Sequence, residues 1–172
     1  MIVALTGTPG TGKTTVARIL EKKYRVIYLK DFKDTRVYYD EARDTYVVDI
    51  DMLREKIEHM ELEGDVIIEG HYSHEMPVDM AIVLRCHPDE LKRRLARRGY
   101  RDIKIMENVE AEAMGIIAEE CLAKFPEEKV FEIDTSILTP EQVADAVNRI
   151  ISGEGEEYRR RISYMGEILK WY

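Results

Sequence analysis

The chain is 172 residues long, with 45% hydrophobic and 35% charged residues. That is the size of one domain with one core, and nothing in it suggests disorder or low complexity. A net charge of −8 excludes a general nucleic-acid coat, which needs a broad basic face. No apolar stretch reaches the roughly 18 residues of a membrane span, and Met1 leads straight into an apolar run, so a cytoplasmic protein is expected. Cys86 and Cys121 stand in apolar surroundings without metal-ligand spacing, which points to reduced core thiols and no structural zinc.

Residues 2–6, IVALT, form a short continuous apolar run ending at Gly7, the pattern of a fully buried parallel strand. A helix is expected over Lys13–Lys23, then a strand over Arg25–Leu29. Residues 31–50 read as polar, aromatic and irregular. Asp51 is expected to cap a helix to Glu63, followed by a strand at Asp65–Glu69. A fourth strand covers Asp79–Cys86, and Pro88 opens a helix that Gly99 ends. One long helix is expected over about Met106–Phe125, a fifth strand at Lys129–Ile133, and a helix opening at Thr139-Pro140-Glu141-Gln142. A last helix is expected over Glu156–Trp171. Strands alternating with helices predict an α/β fold, a five-stranded parallel sheet flanked by helices, over the single domain 1–172.

The segment Gly7-Thr8-Pro9-Gly10-Thr11-Gly12-Lys13-Thr14 matches GxxxxGK[ST] between a strand and a helix, the P-loop NTPase pattern. Gly10 and Gly12 let the backbone curl so that its N–H groups face phosphate oxygens. Lys13 supplies a point charge for the β- and γ-phosphates, Thr14 a hydroxyl for Mg²⁺, and Thr15 a donor near the α-phosphate. The predicted cofactors are therefore ATP and Mg²⁺. No DxxG followed by NKxD is present, which excludes GTPases, and the length excludes most larger ATPase classes. A small-molecule or nucleotide kinase remains.

Ligands of open parallel sheets lie beyond the carboxyl ends of the strands. In DVIIEGHYSH the site-facing acid is therefore Glu69, expected to hold Mg²⁺ through water, and His71 points the same way as a catalytic candidate. His74 has a weaker case, and His59 and His87 read as surface residues. Arg94, Arg97, Arg98 and Arg101 recur at helical spacing before and after a Gly99 hinge, as in a basic lid over phosphates. Arg98 is the ligand candidate; Lys92 and Arg93 read as a solvated face.

Taken together, GTPGTGKTT, EGH and RLARRGYRDIKIMEN resemble the adenylate kinase isoenzyme 6 family, whose archaeal members are described as adenylate kinases and ribosome-maturation factors. The resemblance spans most of the chain, and its most specific part is RL-x-x-RGY followed by Lys104 and Glu107-Asn108. It implies ATP contacts from Gly10, Gly12, Lys13, Thr14, Thr15 and Arg98, an acceptor-binding segment at about 28–51 and a short lid at about 98–108. It also implies transfer of the ATP γ-phosphate to AMP or another nucleoside monophosphate, ATPase activity, and a part in small ribosomal subunit maturation with ribosomal protein uS11 as partner. The second motif is Glu69-Gly70-His71 where eukaryotic members typically have Asp-x-His. Arg36 and Arg43 are candidates for the acceptor phosphate, and Tyr38, beside Tyr39, for stacking on a flat base. Another small-acceptor kinase, shikimate-like or acting on dephospho-coenzyme A, stays open.

Overall fold

The computed structural model describes residues Met1–Trp171; Tyr172 lies outside them. Five parallel strands form the central sheet: β1 (Ile2–Thr6), β2 (Arg25–Tyr28), β5 (Val66–Glu69), β6 (Met80–Arg85) and β7 (Val130–Asp134). Their order is β2-β5-β1-β6-β7. Strand β1 is central, and its Val3, Ala4 and Leu5 are fully buried. Such a strand has no solvent face, which is why it reads as a continuous apolar run.

The two faces of β1 pack against different helices. Val3 and Leu5 meet Val16, Ala17 and Leu20 of α1 (Lys13–Leu20) and Val143 and Val147 of α6 (Pro140–Ile151). Ala4 faces the other way, toward Ala118 and Cys121 of α5 (Ile116–Lys124). Helix α6 opens on the expected capping box, Thr139 accepting from Gln142 N while the Gln142 side chain accepts from Thr139 N. Truncating Leu5 to Ala would cost about 2–5 kcal/mol, since its surroundings are already close-packed.

Four expectations differ from the structure. Residues 31–50 are not irregular: β3 (Arg36–Asp40) and β4 (Thr45–Val48) make an antiparallel hairpin outside the main sheet. Both its faces are partly exposed, so no strict apolar/polar alternation marks it. Helix α2 (Ile50–Glu58) is capped by Asp49, which accepts from Met52 N at 3.0 Å, while Asp51 pairs with Arg54 at 2.8 Å.

The long helix is two, α4 (Asp102–Ala113) and α5, separated by Gly115 at φ 65°. This left-handed conformation costs glycine little and other residues more. Helix α3 (Pro88–Arg97) packs on α4 through Leu91, Leu95, Ile105 and Val109. The final helix is reduced to a 3₁₀ turn at Glu156–Arg159, a short α7 (Met165–Ile168) and a 3₁₀ turn at Leu169–Trp171. Between them the Ile162 carbonyl accepts from Arg85, and Arg161 donates to the carbonyls of Glu127 and Val130. Tertiary hydrogen bonds here override the helical pattern.

Both cysteines are fully buried, and burial pushes their thiols up, Cys86 to about 11 and Cys121 to about 12. A buried thiol that stays protonated is a poor nucleophile. An aromatic disulfide reagent at pH 8 is expected to label neither cysteine in the folded chain and both in denaturant. Rapid labelling of either under native conditions would contradict this packing.

Candidate active site

The end of β1 determines the geometry of the site. After Thr6 the chain curls through residues 7–12 into α1, whose N-cap Gly12 sits at φ 100° with no side-chain hydrogen bond. A Cβ added at Gly12 would meet nothing within 4 Å, so glycine is required there by torsion and not by crowding. The first N–H groups of α1 have no side-chain cap, and the start of the helix lines both clefts, a place suited to anions.

Lys13 is 7% exposed. Its Nζ donates to the carbonyls of Gly7 at 2.7 Å and Thr8 at 3.0 Å. Burial lowers its pKa to about 8, with Arg98 acting in the same direction and Glu69 and Glu112 opposing. An anion beside the ammonium would oppose that lowering.

Glu69 closes β5 beside it. Its carboxylate accepts from the Thr14 hydroxyl at 3.3 Å. Burial raises its pKa, against the opposing charges of Lys13 and Lys30 and the Thr14 hydrogen bond. His71 is half-buried, with its ring centroid 3.9 Å from that of Tyr72. Burial and then Lys13 push its pKa down to about 3, so the ring is neutral at ordinary pH. Thr14 and Glu69 together offer adjacent hard oxygens at the cleft floor, a donor set that fits Mg²⁺.

Two clefts flank the loop and share Gly10, Gly12 and Arg98. One, of about 310 Å³, runs from Lys13 and Glu69 to the β3–β4 hairpin. Its walls carry Phe32, Tyr46, Tyr72 and Tyr100 as well as Lys30 and Arg36, and Glu69 is the one carboxylate among its lining residues. The Arg36 guanidinium lies over the Tyr46 ring at 4.3 Å. The other, of about 350 Å³, lies between Thr15, Val16, Arg94, Thr135, Leu138 and Pro140.

Arg98 is exposed at the C-cap of α3, directly before Gly99, and its side chain belongs to both clefts. Among the described residues it makes no ion pair. Arg94 is by contrast held by the Thr135 hydroxyl and carbonyl at 3.1 and 2.7 Å. Beyond Gly99 the basic segment reaches the hairpin tip. Arg101 donates to the Glu41 carbonyl at 3.0 Å, Lys104 donates to the Asp44 carbonyl at 2.6 Å, and Arg43 pairs with Glu107 at 3.7 Å.

The structure thus brings Gly10, Gly12, Lys13, Thr14, Glu69, His71, Arg36 and Arg98 around one cleft, with Thr15 on the other. It places two sequence candidates outside both. Arg43 turns to Glu107 of α4, and Tyr38 is exposed on the hairpin. Tyr46, on the facing strand, lines the first cleft instead. His74 is buried and structural, bonded to the Thr6 hydroxyl at 2.8 Å and to Glu120 at 2.6 Å. Lys30, Tyr46 and Tyr100 were not singled out from sequence. For Tyr46 the apolar and aromatic runs on either side of residues 41–44 were the available signal; Lys30 and Tyr100 lie outside those runs.

Fold and loop together define a P-loop protein of the kinase class. Solved structures with this fold include deoxyadenosine kinase from M. mycoides, 14% identical with a TM-score of 0.55 over 89% of this chain and 99% of that one. Shikimate kinase from Bacteroides thetaiotaomicron is 18% identical with a TM-score of 0.57, over 88% of this chain and 98% of that one. The AAA domain family model (AAA_18) matches residues 3–115.

A protein of Natronomonas pharaonis described as "Putative adenylate kinase" is 41% identical over 90% of this chain and 92% of its own length. One of the same description from Pyrococcus furiosus is 42% identical over 99% of this chain and 91% of its own. The chain belongs to this archaeal family, as its resemblance to the adenylate kinase isoenzyme 6 family implied.

Replacing Lys13 with Ala removes the buried charge and its two bonds to the Gly7 and Thr8 carbonyls while leaving the apolar core in place. The circular dichroism spectrum should match that of the parent chain, and calorimetric titration with ATP should show affinity reduced at least about tenfold, as expected for losing one charge-assisted phosphate contact. Undiminished ATP affinity would show that the phosphates bind elsewhere.

Proposed function

We propose that the chain transfers the γ-phosphate of ATP to a nucleoside monophosphate, with AMP the preferred acceptor. The observation that carries this reading is the pair of clefts that share Gly10, Gly12 and Arg98, with Lys13 lining the first of them. One donor and one acceptor can then approach the same point from opposite sides. Lys30, Arg36 and Arg98 line the acceptor cleft without an ion-pair partner among the described residues, which suits an anionic acceptor. The aromatic walls suit its flat base.

With ATP in the P-loop, the acceptor phosphate oxygen attacks the γ-phosphorus in line as its bond to the β–γ bridging oxygen breaks and ADP leaves. Lys13 and Arg98 neutralise charge spreading over the transferred group. The Thr14 hydroxyl and the Glu69 carboxylate would hold Mg²⁺, which would supply further charge neutralisation. The lid contacts to the hairpin tip cover the acceptor and keep water from competing. We assign a lesser ATPase activity to the same site, because neutral His71 beside Glu69 can orient a water when no acceptor is present. The proposed part in small-subunit maturation, through ribosomal protein uS11, rests on what the resemblance to the adenylate kinase isoenzyme 6 family implies, and the acidic net charge of −8 would favour encounter with a basic partner.

Two experiments test the site. With labelled ATP and a panel of monophosphates, ADP formation should rise above the acceptor-free rate most strongly with AMP. A rate that no monophosphate increases rules out the kinase. Glu69→Gln should lose turnover that high Mg²⁺ partly restores, since it weakens the metal's outer shell, whereas His71→Ala should lose turnover without that relief. Equal rescue of both, or normal turnover in both, would reduce the EGH segment to a strand end.

A further inference from the structure

The P-loop motif leaves its second residue unspecified, yet in this chain Thr8 is buried and tied to a distant carboxylate. Its hydroxyl donates to Glu112 Oε1 at 2.9 Å, across 104 positions of sequence. Glu112 lies in the last turn of α4 and is 2% exposed. Its other oxygen accepts from Arg85 Nε at 3.0 Å and from the Cys86 backbone N–H at 2.8 Å. Arg85 is 1% exposed, and it also donates to Glu132 at 2.6 Å and to the carbonyls of Ile162 and Glu112. One oxygen of Glu112 is thus anchored in the core, and the other holds the phosphate loop.

The other side of Thr8 faces Lys13. The Thr8 carbonyl accepts from Lys13 Nζ at 3.0 Å, from the Thr11 hydroxyl at 2.8 Å and from Thr11 N at 3.2 Å. The Thr8 peptide is therefore fixed by its side chain in one direction and by the loop's own donors in the other. Helix α4 carries a second attachment eight residues earlier, where Lys104 reaches the acceptor hairpin. Eight residues of helix span roughly 12 Å. A single rigid helix thus touches both the loop that would hold the donor and the hairpin that would cover the acceptor.

We propose that Glu112 is a positioning residue for phosphoryl transfer: through the Thr8 hydroxyl it sets the P-loop backbone in register with the lid helix and the acceptor hairpin. This rests on the kinase reading above. Its role is to hold the donor phosphates at the angle that in-line attack requires, where small misplacements are costly in rate. Glu112 touches neither substrate and acts through Thr8.

Altering Glu112 itself would orphan Arg85 and the Cys86 N–H in the core, with a large loss of stability expected. The informative variants are at Thr8. Thr8→Val keeps the shape and the Arg85–Glu112 pair but removes the donated hydrogen bond, while Thr8→Ser keeps the hydroxyl. With ATP and AMP, Thr8→Val should lower kcat about tenfold, a change of about one decade for one misaligned contact, with KM for AMP within about twofold of the parent. Thr8→Ser should restore kcat to within about twofold.

Unchanged kcat in Thr8→Val, a defect confined to KM for AMP, or a loss that serine does not restore would each overturn the proposal. If the parent chain shows no acceptor-dependent turnover, the kinase reading fails separately. The tether is then read from ATP affinity by calorimetry, which Thr8→Val should weaken and Thr8→Ser restore. Equal affinity in all three would overturn it.

Discussion

Lys13 brings an ammonium group into a nearly closed space, and the surrounding loop satisfies it with two of its own carbonyls, Gly7 and Thr8. That arrangement stabilises the loop without a ligand, and it leaves the charge desolvated, with its pKa lowered to about 8. A phosphate entering the loop meets a cation that has already lost most of its water. The cost of desolvation falls on folding, so it is not incurred at binding. The apolar strand β1 makes this possible, because a strand buried on both faces holds the start of the loop rigidly against the core.

From that point the rest of the site divides into two sides. The cleft proposed for the donor is bounded by Thr15, Arg94 and the start of α6, and the one proposed for the acceptor by Glu69, His71, Arg36 and the aromatic hairpin. Arg98 stands between them, exposed and next to the Gly99 turn. An arginine fixed by a carboxylate, as Arg85 is, cannot serve a phosphoryl group passing between clefts. In the proposed transfer Arg98 fills that place, since among the described residues it has no ion-pair partner to give up.

The parallel strands were legible because each is a continuous apolar run. The starts of α3 and α6 were legible because Pro88 and the Thr139–Gln142 box are local signals. Lys13, Thr14, Glu69 and Arg98 were legible for the same reason, lying in motifs or at strand ends. What sequence hid depends on contacts between distant residues. The hairpin at 36–48 packs over the acceptor cleft and has no uniformly buried face to give it a period. Gly115 breaks a pattern that reads as one helix, and the stretch around Arg161 is drawn out by bonds to Glu127, Val130 and Glu132. Arg43 and Tyr38 were reasonable acceptor candidates by residue type, but Arg43 sits in the hairpin turn and pairs with Glu107, and Tyr38 is exposed outside the cleft that Tyr46 lines. Glu112 has no sequence signal, since its partner Thr8 lies in another part of the chain.

The central claim is that the two clefts form one path for a phosphoryl group through Lys13 and Arg98. A molecule of two adenosines joined by five phosphates tests it directly, because it can reach across the loop only if the clefts are continuous. Titrated into the protein by calorimetry with Mg²⁺ present, it should bind one molecule per chain. Its affinity should exceed that of ATP or AMP by about a hundredfold or more, as linking two sites predicts, and it should displace both nucleotides. Binding of two molecules per chain, or binding that displaces ATP while AMP stays bound, would show that the clefts do not meet and would contradict the account.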